Sequence, residues 1–209
     1  MNRLSKLALS LLAAVTMSTT LTGCFPLVLG GAMVGGTAVY TDRRTSGTQL
    51  EDEAIELKAL SRNSEAIGSR GRVSVTSYSR LVLITGEVTS DADRALIEKT
   101  VSRVENVRSI VNELAIVKEL PSSSIGTDAI VTGKVKASLI DSKDVLAQAV
   151  KVVTERGTVY LMGRVTEREA MRAAEITRGV SGVQKVVRVF EIISENELAN
   201  LNTTAPASK

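Results

Sequence analysis

The sequence predicts an α+β fold made of two tandem copies of one small unit. Residues 81–117 align with residues 158–193, which places Gly86 over Gly163 at an offset of 77 residues. In both copies, runs that alternate apolar and polar residues lie beside segments with helical spacing of apolar residues. The two glycines stand at strand ends outside any phosphate-loop pattern, so we expect them to serve backbone packing.

Each copy is predicted to fold in the order αββαβ, as a small three-stranded mixed sheet packed on two helices. Helical spacing predicts the first helix, and alternating runs joined by short polar turns predict a hairpin after it. The predicted elements of the first copy are a helix at 51–66, strands at 72–77 and 80–88, a helix at 91–104 and a strand at 107–117. Those of the second copy are a helix at 127–140, strands at 149–154 and 157–165, a helix at 167–180 and a strand at 183–193.

The second helix of each copy begins at residues suited to capping. Thr166 with Glu169 fits a capping box, and Ser90 with Asp91 supplies caps in the first copy. Acidic side chains in a first helical turn interact favourably with the helix dipole. We therefore assign no catalytic role to these carboxylates.

The first 23 residues have the layout of a secretory signal peptide, with a basic start and an apolar run at 7–15 that is too short to span a bilayer. The segment Leu21-Thr22-Gly23-Cys24 resembles the bacterial lipobox, which implies cleavage before Cys24 and acylation of that residue. The alternative for a lone cysteine is a reduced side chain in a cytosolic core, which its place after such a segment disfavours. Phe25 rather than Asp follows, and in lipoproteins this implies the periplasmic face of the outer membrane, where acyl chains hold the protein.

Composition argues against several classes of function. The chain has no histidine and one cysteine, so the commonest general base is absent and no thiolate remains once Cys24 is acylated. We expect no enzyme activity, no cofactor and no metal site. Aromatic residues make up 2% of the chain, too few for a stacking platform, so we expect no nucleic-acid partner.

The chain is predicted to divide into six segments. They are the signal peptide (1–23), lipidated Cys24 with a Gly-rich tether (24–49), the first domain (50–118), a linker (119–126), the second domain (127–193) and a disordered tail (194–209). Asp42, Arg43 and Arg44 are expected to mark the exit of the tether into water. There the two arginines either contact lipid headgroups or remain solvated.

The first helix of the second copy has two apolar faces. Val131, Val135 and Leu139 form a stripe that is sufficient to cover the sheet. A second apolar arc is flanked by lysines, as in helices whose apolar side chains enter the acyl boundary while ammonium groups meet phosphates. The alternative is that this arc packs on the first domain. The predicted phospholipid-binding residues are Ile130, Gly133, Lys134, Lys136, Ala137 and Ile140.

Charge distinguishes the two copies. Residues 127–193 contain eleven basic and eight acidic residues, whereas residues 50–118 contain ten basic and eleven acidic ones. The second domain is therefore the one suited to an anionic membrane surface. A small excess of charge is enough to orient a module that is already tethered.

The repeated unit resembles the BON domain. The resemblance is carried by Gly86-Glu87-Val88-Thr89 and Gly163-Arg164-Val165-Thr166, by the helix after each, and by the valine-rich runs that begin at Val107 and Val183. With the lipobox and the segment "YTDRRTSGTQLEDE" (40–53), the tandem copies resemble the dual BON-domain outer-membrane lipoproteins.

That resemblance implies a non-enzymatic protein whose second domain binds anionic phospholipids such as phosphatidylglycerol and cardiolipin through its first helix. It also implies a role in outer-membrane integrity, with enrichment at division sites. The family pattern has a bulky apolar residue, often aromatic, where Ile130 stands. The alternative is an adaptor that uses the same helix surface to bind an envelope protein. A hydrolase is disfavoured because no nucleophile and base can be identified.

Overall fold

The computed structural model describes residues 42–120, 125–142 and 144–203. Within them the chain forms two domains with the same order of elements, which confirms the α+β fold class predicted from the sequence. The signal peptide, Cys24 and the Gly-rich part of the tether lie outside the described residues.

The first domain begins with a long helix and is built around its second strand. Its elements are α1 (Ser46–Ile67), β1 (Gly71–Tyr78), β2 (Leu81–Val88), α2 (Asp91–Ser102), β3 (Ser109–Asn112) and β4 (Ala115–Ile116). β1 pairs antiparallel with β2, whereas β3 and β4 pair parallel with it. Ser90 caps α2, as predicted, because its side chain accepts a hydrogen bond from the amide of Asp93.

The second domain repeats this arrangement. Its elements are α3 (Ile125–Asp141), β5 (Lys151–Glu155), β6 (Thr158–Val165), α4 (Glu167–Arg178) and β7 (Lys185–Ile192). β6 is central, with β5 antiparallel and β7 parallel to it. Thr166 and Glu169 form the predicted capping box at the start of α4.

Both first helices begin earlier than the sequence predicts. α1 starts at Ser46, inside the segment assigned to the tether, because the side chain of Thr45 accepts a hydrogen bond from the amide of Thr48 and caps the helix. α3 starts at Ile125, inside the segment assigned to the linker.

Two further segments differ from expectation. The single strand predicted at 107–117 is divided into β3 and β4, because the amide of Leu114 donates to the side chain of Asn112 instead of continuing the ladder. The sequence predicts disorder from residue 194, but α5 (Glu195–Thr203) is helical. Its first turn is held by the side chain of Ser194, which accepts a hydrogen bond from the amide of Glu197.

Each sheet places one face against its two helices. Alternate residues of the central strands point into these cores because successive side chains of a strand face opposite ways. The buried first core consists of Ile55, Ala59, Ile67, Val75, Val82, Ile84, Val88, Ile97, Val101, Val104 and Leu114. The buried second core consists of Val131, Val135, Leu139, Val145, Val150, Val152, Val159, Leu161, Val165, Ala170, Ala173 and Ala174.

The opposite faces of the two sheets pack against each other. The intervening side chains of β2 and β6, together with neighbours on β1 and β7, form a third buried cluster shared by both domains. Its members are Tyr78, Leu83, Tyr160, Met162 and Val189. Both faces of each central strand are therefore covered, and helices lie on the two outer sides of a pair of sheets.

A buried aspartate holds each hairpin to the first helix of its domain. Asp52 on α1 accepts hydrogen bonds from the amides of Ser79 and Arg80, both at 2.8 Å. Asp128 on α3, 76 residues later, accepts from the amides of Arg156 and Gly157 at 2.8 and 2.9 Å. These turn residues have positive φ angles, as two-residue hairpins require, and the carboxylates satisfy their amides.

Gly86 and Gly163 let the first strand of each sheet approach the central strand closely. A Cβ atom at Gly86 would lie 2.0 Å from the carbonyl oxygen of Arg72, and one at Gly163 would lie 2.2 Å from that of Ala149. Gly86 also has a φ of 112°, which other residues rarely adopt. Only glycine fits at these two places.

Candidate functional site

The packing of α3 on its own sheet determines which of its residues face outward. Val131, Val135 and Leu139 are buried in the second core, as the helical wheel predicts. Asp128 fixes the start of the helix by its hydrogen bonds to the β5–β6 turn. The other side of the helix therefore points away from the sheet.

The six predicted phospholipid-binding residues all lie on that other side and are exposed; we call this surface the outer face of α3. Its large apolar side chains are Ile130, which is 62% exposed, and Ile140, which is 71% exposed. The remaining members are Gly133, Lys134, Lys136 and Ala137. The structure thus brings together every residue that the sequence assigns to this site.

The outer face does not form the contact between the domains. The sheets meet through the cluster around Leu83 and Met162, whereas Ile130 and Ile140 remain exposed. At these two side chains the arc does not pack on the first domain, whereas Ala129 near the start of the helix lines a cavity together with Val73 and Ser74 of that domain. Sequence reasoning missed the contact between the sheets because it assigned only one buried face to each strand.

The two lysines of the outer face are available to an external anion. Among the described residues, neither Lys134 nor Lys136 has a carboxylate within salt-bridge distance. The equivalent of Lys134 on α1, Lys58, is different because its Nζ lies 2.7 Å from Oε2 of Glu105, and the equivalent of Lys136 is Leu60. Among the residues that the structure describes, the second domain is therefore the one whose first helix presents ammonium groups without a carboxylate partner at these positions.

A groove of about 430 Å³ runs beside the end of the outer face. It is open to solvent and lies between α3 and the segment that leads into β5. Its lining residues are Asp42, Lys136, Leu139, Ile140, Ala147, Gln148 and Val150. Its walls are mainly apolar, and Lys136 and Asp42 contribute one ammonium group and one carboxylate group to the lining.

Asp42, the first described residue, therefore lies beside the outer face. The described part of the chain begins at this groove, next to Lys136 and Ile140. It then continues into a short segment, Asp42–Arg44, that we call the clamp because its side chains bind both domains.

Arg43 of the clamp binds the second domain. Its guanidinium donates to both carboxylate oxygens of Glu169 at 2.7 Å and to the carbonyl oxygen of Arg164 at 2.8 Å. Burial alone would raise the pKa of Glu169, but the hydrogen bonds from Arg43 and from the amide of Thr166 lower it below its ordinary value of 4.5. Glu169 thus both caps α4 and binds the clamp.

Arg44 of the clamp binds the first domain. It donates to both oxygens of Asp42 and, at 2.8 Å, to Oδ2 of Asp52, and its guanidinium lies 4.1 Å from the ring centre of Tyr78. Burial raises the pKa of Tyr78 to about 12, helped by the negative charge of Asp42. Burial also acts to raise the pKa of Asp42, but the hydrogen bonds from Arg44 outweigh it and the pKa is lowered.

Neither arginine of the clamp is solvated or available to headgroups, which corrects the expectation for this segment. The side chains of Arg43 and Arg44 are 10% and 13% exposed, respectively. Their burial follows from the carboxylates of Glu169, which is 126 residues from Arg43, and of Asp52, which is eight residues from Arg44. This arrangement is hard to predict from the sequence, because charged residues directly before a helix are also common in solvated linkers.

Two properties of the described residues bear on chemistry and membrane insertion. In ranges 42–120, 125–142 and 144–203, no three side chains of His, Cys, Asp or Glu are grouped so as to hold a metal ion. Across the same ranges, none of the helices combines the length and apolar character needed to cross a bilayer.

The family model of the BON domain matches residues 52–118 and 127–194, which are the two repeated units. The chain belongs to the BON-domain family. α1 and α3 are the first helices of these two BON domains. The clamp therefore lies directly before the first BON domain, and the outer face of α3 belongs to the second.

Three relatives extend this assignment. The chain is 36% identical over 193 residues to "Outer membrane lipoprotein DolP" of Haemophilus influenzae, covering 91% of this chain and 97% of that protein. It is 31% identical to "21 kDa hemolysin" of Actinobacillus pleuropneumoniae, over 73% of this chain and 79% of that protein. It is 30% identical to "Osmotically-inducible protein Y" of Escherichia coli, over 72% of this chain and 77% of that protein. With its two BON domains, the chain is an outer-membrane lipoprotein of the DolP type.

Proposed function

We propose that the second BON domain binds anionic phospholipid at the membrane surface through the outer face of α3. The observation that carries this proposal is the exposure of Ile130 and Ile140 beside two lysines without a carboxylate partner among the described residues. Exposed apolar side chains edged by ammonium groups are the pattern of a helix that lies in a lipid interface. Phosphatidylglycerol and cardiolipin are the expected lipids because both present anionic phosphates.

The expected affinity is low but sufficient for an anchored protein. Full burial of an isoleucine contributes about 1.5–3 kcal/mol, and a basic residue near an anionic surface contributes about 1 kcal/mol. Part of the isoleucine term is lost because these side chains are not fully exposed beforehand. A contact of a few kcal/mol is effective when a tether supplies a high local concentration.

The position of the tether supports the same contact. Asp42 lines the groove beside Ile140, and Cys24 lies 18 residues earlier in the chain. A chain of that length spans at most about 60 Å when fully extended. An acylated Cys24 therefore keeps the outer face within reach of the leaflet that holds the anchor.

The first domain lacks the corresponding surface. α1 contains the acidic residues Glu51, Asp52, Glu53, Glu56 and Glu65, whereas α3 contains only Asp128 and Asp141. A negative helix is repelled by anionic headgroups. The proposal therefore assigns lipid binding to the second domain alone.

The cellular role follows from anchoring and lipid contact. We propose that Cys24 carries acyl chains such as palmitate, that the protein supports the integrity of the outer membrane, and that it is enriched at division sites. The support for acylation is the lipobox at residues 21–24, and the support for an envelope role is the relationship to DolP. Enrichment at division sites rests on family resemblance.

The test is a lipid titration of a soluble chain that begins at Thr41, so that the clamp is retained. Micelles containing phosphatidylglycerol or cardiolipin are expected to shift the amide resonances of residues 127–140. Replacement of Ile130 by Glu is expected to abolish these shifts, because a carboxylate then faces the headgroups. Leu57→Glu is the matched control, since Leu57 is 71% exposed on the corresponding helix of the first domain.

The titration distinguishes lipid binding from the alternative of an adaptor. Unchanged lipid shifts in Ile130→Glu would refute the assignment of the outer face. If Ile130→Glu also loses an envelope protein in pull-downs while lipid binding is intact, the same surface binds a protein partner instead. If Leu57→Glu and Ile130→Glu lose the lipid-induced shifts equally, the loss is a general effect of added negative charge. That result would also count against the site.

A further inference from the structure

The groove beside the outer face has an equivalent in the first domain. Residues 76 positions apart in the first helices and 77 positions apart in the strands correspond in the repeat. By this rule Asn63 and Ser64 correspond to Leu139 and Ile140, and Val73 corresponds to Val150. The lining of the first-domain groove, of about 300 Å³, is Leu60, Asn63, Ser64, Ile67, Gly68, Gly71, Arg72 and Val73.

The two grooves differ in polarity at their base. Leu139 closes the second-domain groove as part of an apolar core. Asn63 takes the same place in the first domain and is only 2% exposed. Among the described residues, no group lies within hydrogen-bond distance of either its Oδ1 or its Nδ2 atom.

A buried side-chain amide without a partner destabilises the folded state, because it loses its hydrogen bonds to water and gains none. The second domain shows that the same fold accepts leucine at this position. Asn63 also lines an open groove rather than a closed core. These three facts indicate that the amide is placed for a ligand that both donates and accepts a hydrogen bond.

The edge of β1 lies along the same groove. Among the described strands, β1 pairs only with β2. The amide of Ser77 points away from β2, since it donates to Oε1 of Glu56 at 2.7 Å. Because backbone groups alternate along a strand, the N–H and C=O of Val75 and Val73 point to this same edge. Val73 is itself a lining residue of the groove.

We propose that the first-domain groove binds an extended peptide segment by strand addition to β1, with Asn63 binding one of its backbone amides. A peptide group offers a C=O to Nδ2 and an N–H to Oδ1, the pair of partners that Asn63 lacks. Val73 supplies the main-chain hydrogen bonds that give strand addition its affinity. Gly68 also lines the groove, and a Cβ there would meet no atom within 4 Å, so it borders open space.

The experiment uses the full chain in detergent micelles with the tetra-alanine peptide capped at both ends as the probe. Millimolar peptide is expected to shift the side-chain amide resonances of Asn63 and the backbone amide of Val73 in a saturable way. The same peptide methylated on alternate backbone nitrogens cannot pair with a strand edge and is expected to bind at least tenfold more weakly.

Asn63→Leu is the decisive variant because it installs the residue of the second domain. We expect it to abolish the peptide-induced shifts while the melting temperature stays the same or rises, since an unsatisfied amide is removed. Asn63→Ala, which leaves space instead of filling it, is expected to abolish them as well. The lipid response of residues 127–140 serves as the folding control for both variants.

Several results would overturn the proposal. They are the absence of shifts up to tens of millimolar peptide, equal shifts in Asn63→Leu, and equal binding of the alternately methylated peptide. Binding of N-acetylglucosamine in place of the peptide would assign the amide to a sugar and would also overturn it. A long-lived water that satisfies Asn63 and is not displaced by peptide would have the same consequence.

Discussion

The first helices of the two BON domains occupy the same place in the fold but present different surfaces. Ile55 and Ala59 of α1 are buried, as are their equivalents Val131 and Val135 of α3. On the outside, Ala54, Leu57 and Ser64 stand where α3 has Ile130, Gly133 and Ile140. Packing restricts the inner face in both copies, because each must cover its own sheet. The outer face is free of that restriction, so the two domains can serve different ligands.

The largest expected effect concerns the buried aspartates that both helices share. Asp52→Ala is expected to lower the free energy of unfolding by about 3–5 kcal/mol, because it leaves two turn amides, the Ser77 hydroxyl and part of Arg44 unpaired. Asp128→Ala is expected to cost about 1–3 kcal/mol, since it leaves two amides unpaired. Denaturant unfolding measures both values. Equal costs would mean that neither Ser77 nor Arg44 of the clamp adds to the contribution of Asp52.

The second prediction concerns the clamp, whose positions in the second copy of the repeat are taken by Lys118, Glu119 and Leu120. Arg43→Ala is expected to cost about 3 kcal/mol at neutral pH, because it leaves the buried carboxylate of Glu169 without its cation. The folded-state pKa of Glu169 is lowered, so the contribution of this pair is present above the ordinary value of 4.5 and is lost as the pH falls through the folded-state pKa.

Unfolding measured from pH 7 to pH 3 tests this directly. The difference between the unmodified chain and Arg43→Ala is expected to be constant above about pH 5.5 and to decrease below pH 4.5. Glu169→Gln is the control background, because it has no carboxylate to titrate there, and the effect of adding Arg43→Ala to it should not change in that range. A difference that is as large at pH 3 as at pH 7 would exclude Glu169 as the group whose ionisation stabilises the pair.

The third prediction exchanges residues between the outer surfaces. Ile140→Ser, which installs the residue of α1, is expected to weaken lipid binding about tenfold by removing about 1.5 kcal/mol of apolar burial. Ser64→Ile, the reciprocal change, is expected to produce no lipid binding, because the acidic residues of α1 remain. Vesicle co-sedimentation with phosphatidylglycerol measures both. Lipid binding by Ser64→Ile would show that an exposed apolar side chain is sufficient for binding, whatever the charge of the helix.

The smallest effect concerns single charges. Lys134→Gln is expected to weaken binding to anionic vesicles about fivefold, since one basic residue contributes about 1 kcal/mol. Lys58→Gln is the matched control on α1 and is expected to leave lipid binding unchanged, because Lys58 is paired with Glu105. The difference in vesicle binding between the unmodified chain and Lys134→Gln should diminish at high salt, where surface charges are screened.

The internal repeat and the strand and helix periodicities of apolar residues predicted the order of helices and strands. The helical wheel of α3 separated its buried residues from its exposed ones. These features are local: they depend on spacing of 2 or 3.6 residues and on capping side chains such as Ser90 and Thr166. The same reasoning placed the outer face correctly as a surface, although what binds there stays a prediction.

The contacts between the domains were not predicted, because they depend on partners far apart in sequence. Leu83 and Met162 lie on the second apolar face of a central strand, and nothing in period-two spacing identifies the sheet that covers it. Arg43 and Glu169 are 126 residues apart. Asn63 was also missed, since one polar residue in an apolar stripe changes the pattern little until its burial is known.

The clamp also decides how mechanical load would enter this protein. A membrane anchor that moves away would pull on the tether. The first groups to resist would be Arg43, which is paired with Glu169 of α4, and Arg44, which is paired with Asp52 of α1. Tension is therefore applied at the seam between the domains instead of unravelling α1 from its end. A pull on the tether would therefore reach both domains at once, although only the first domain follows the tether directly in the chain.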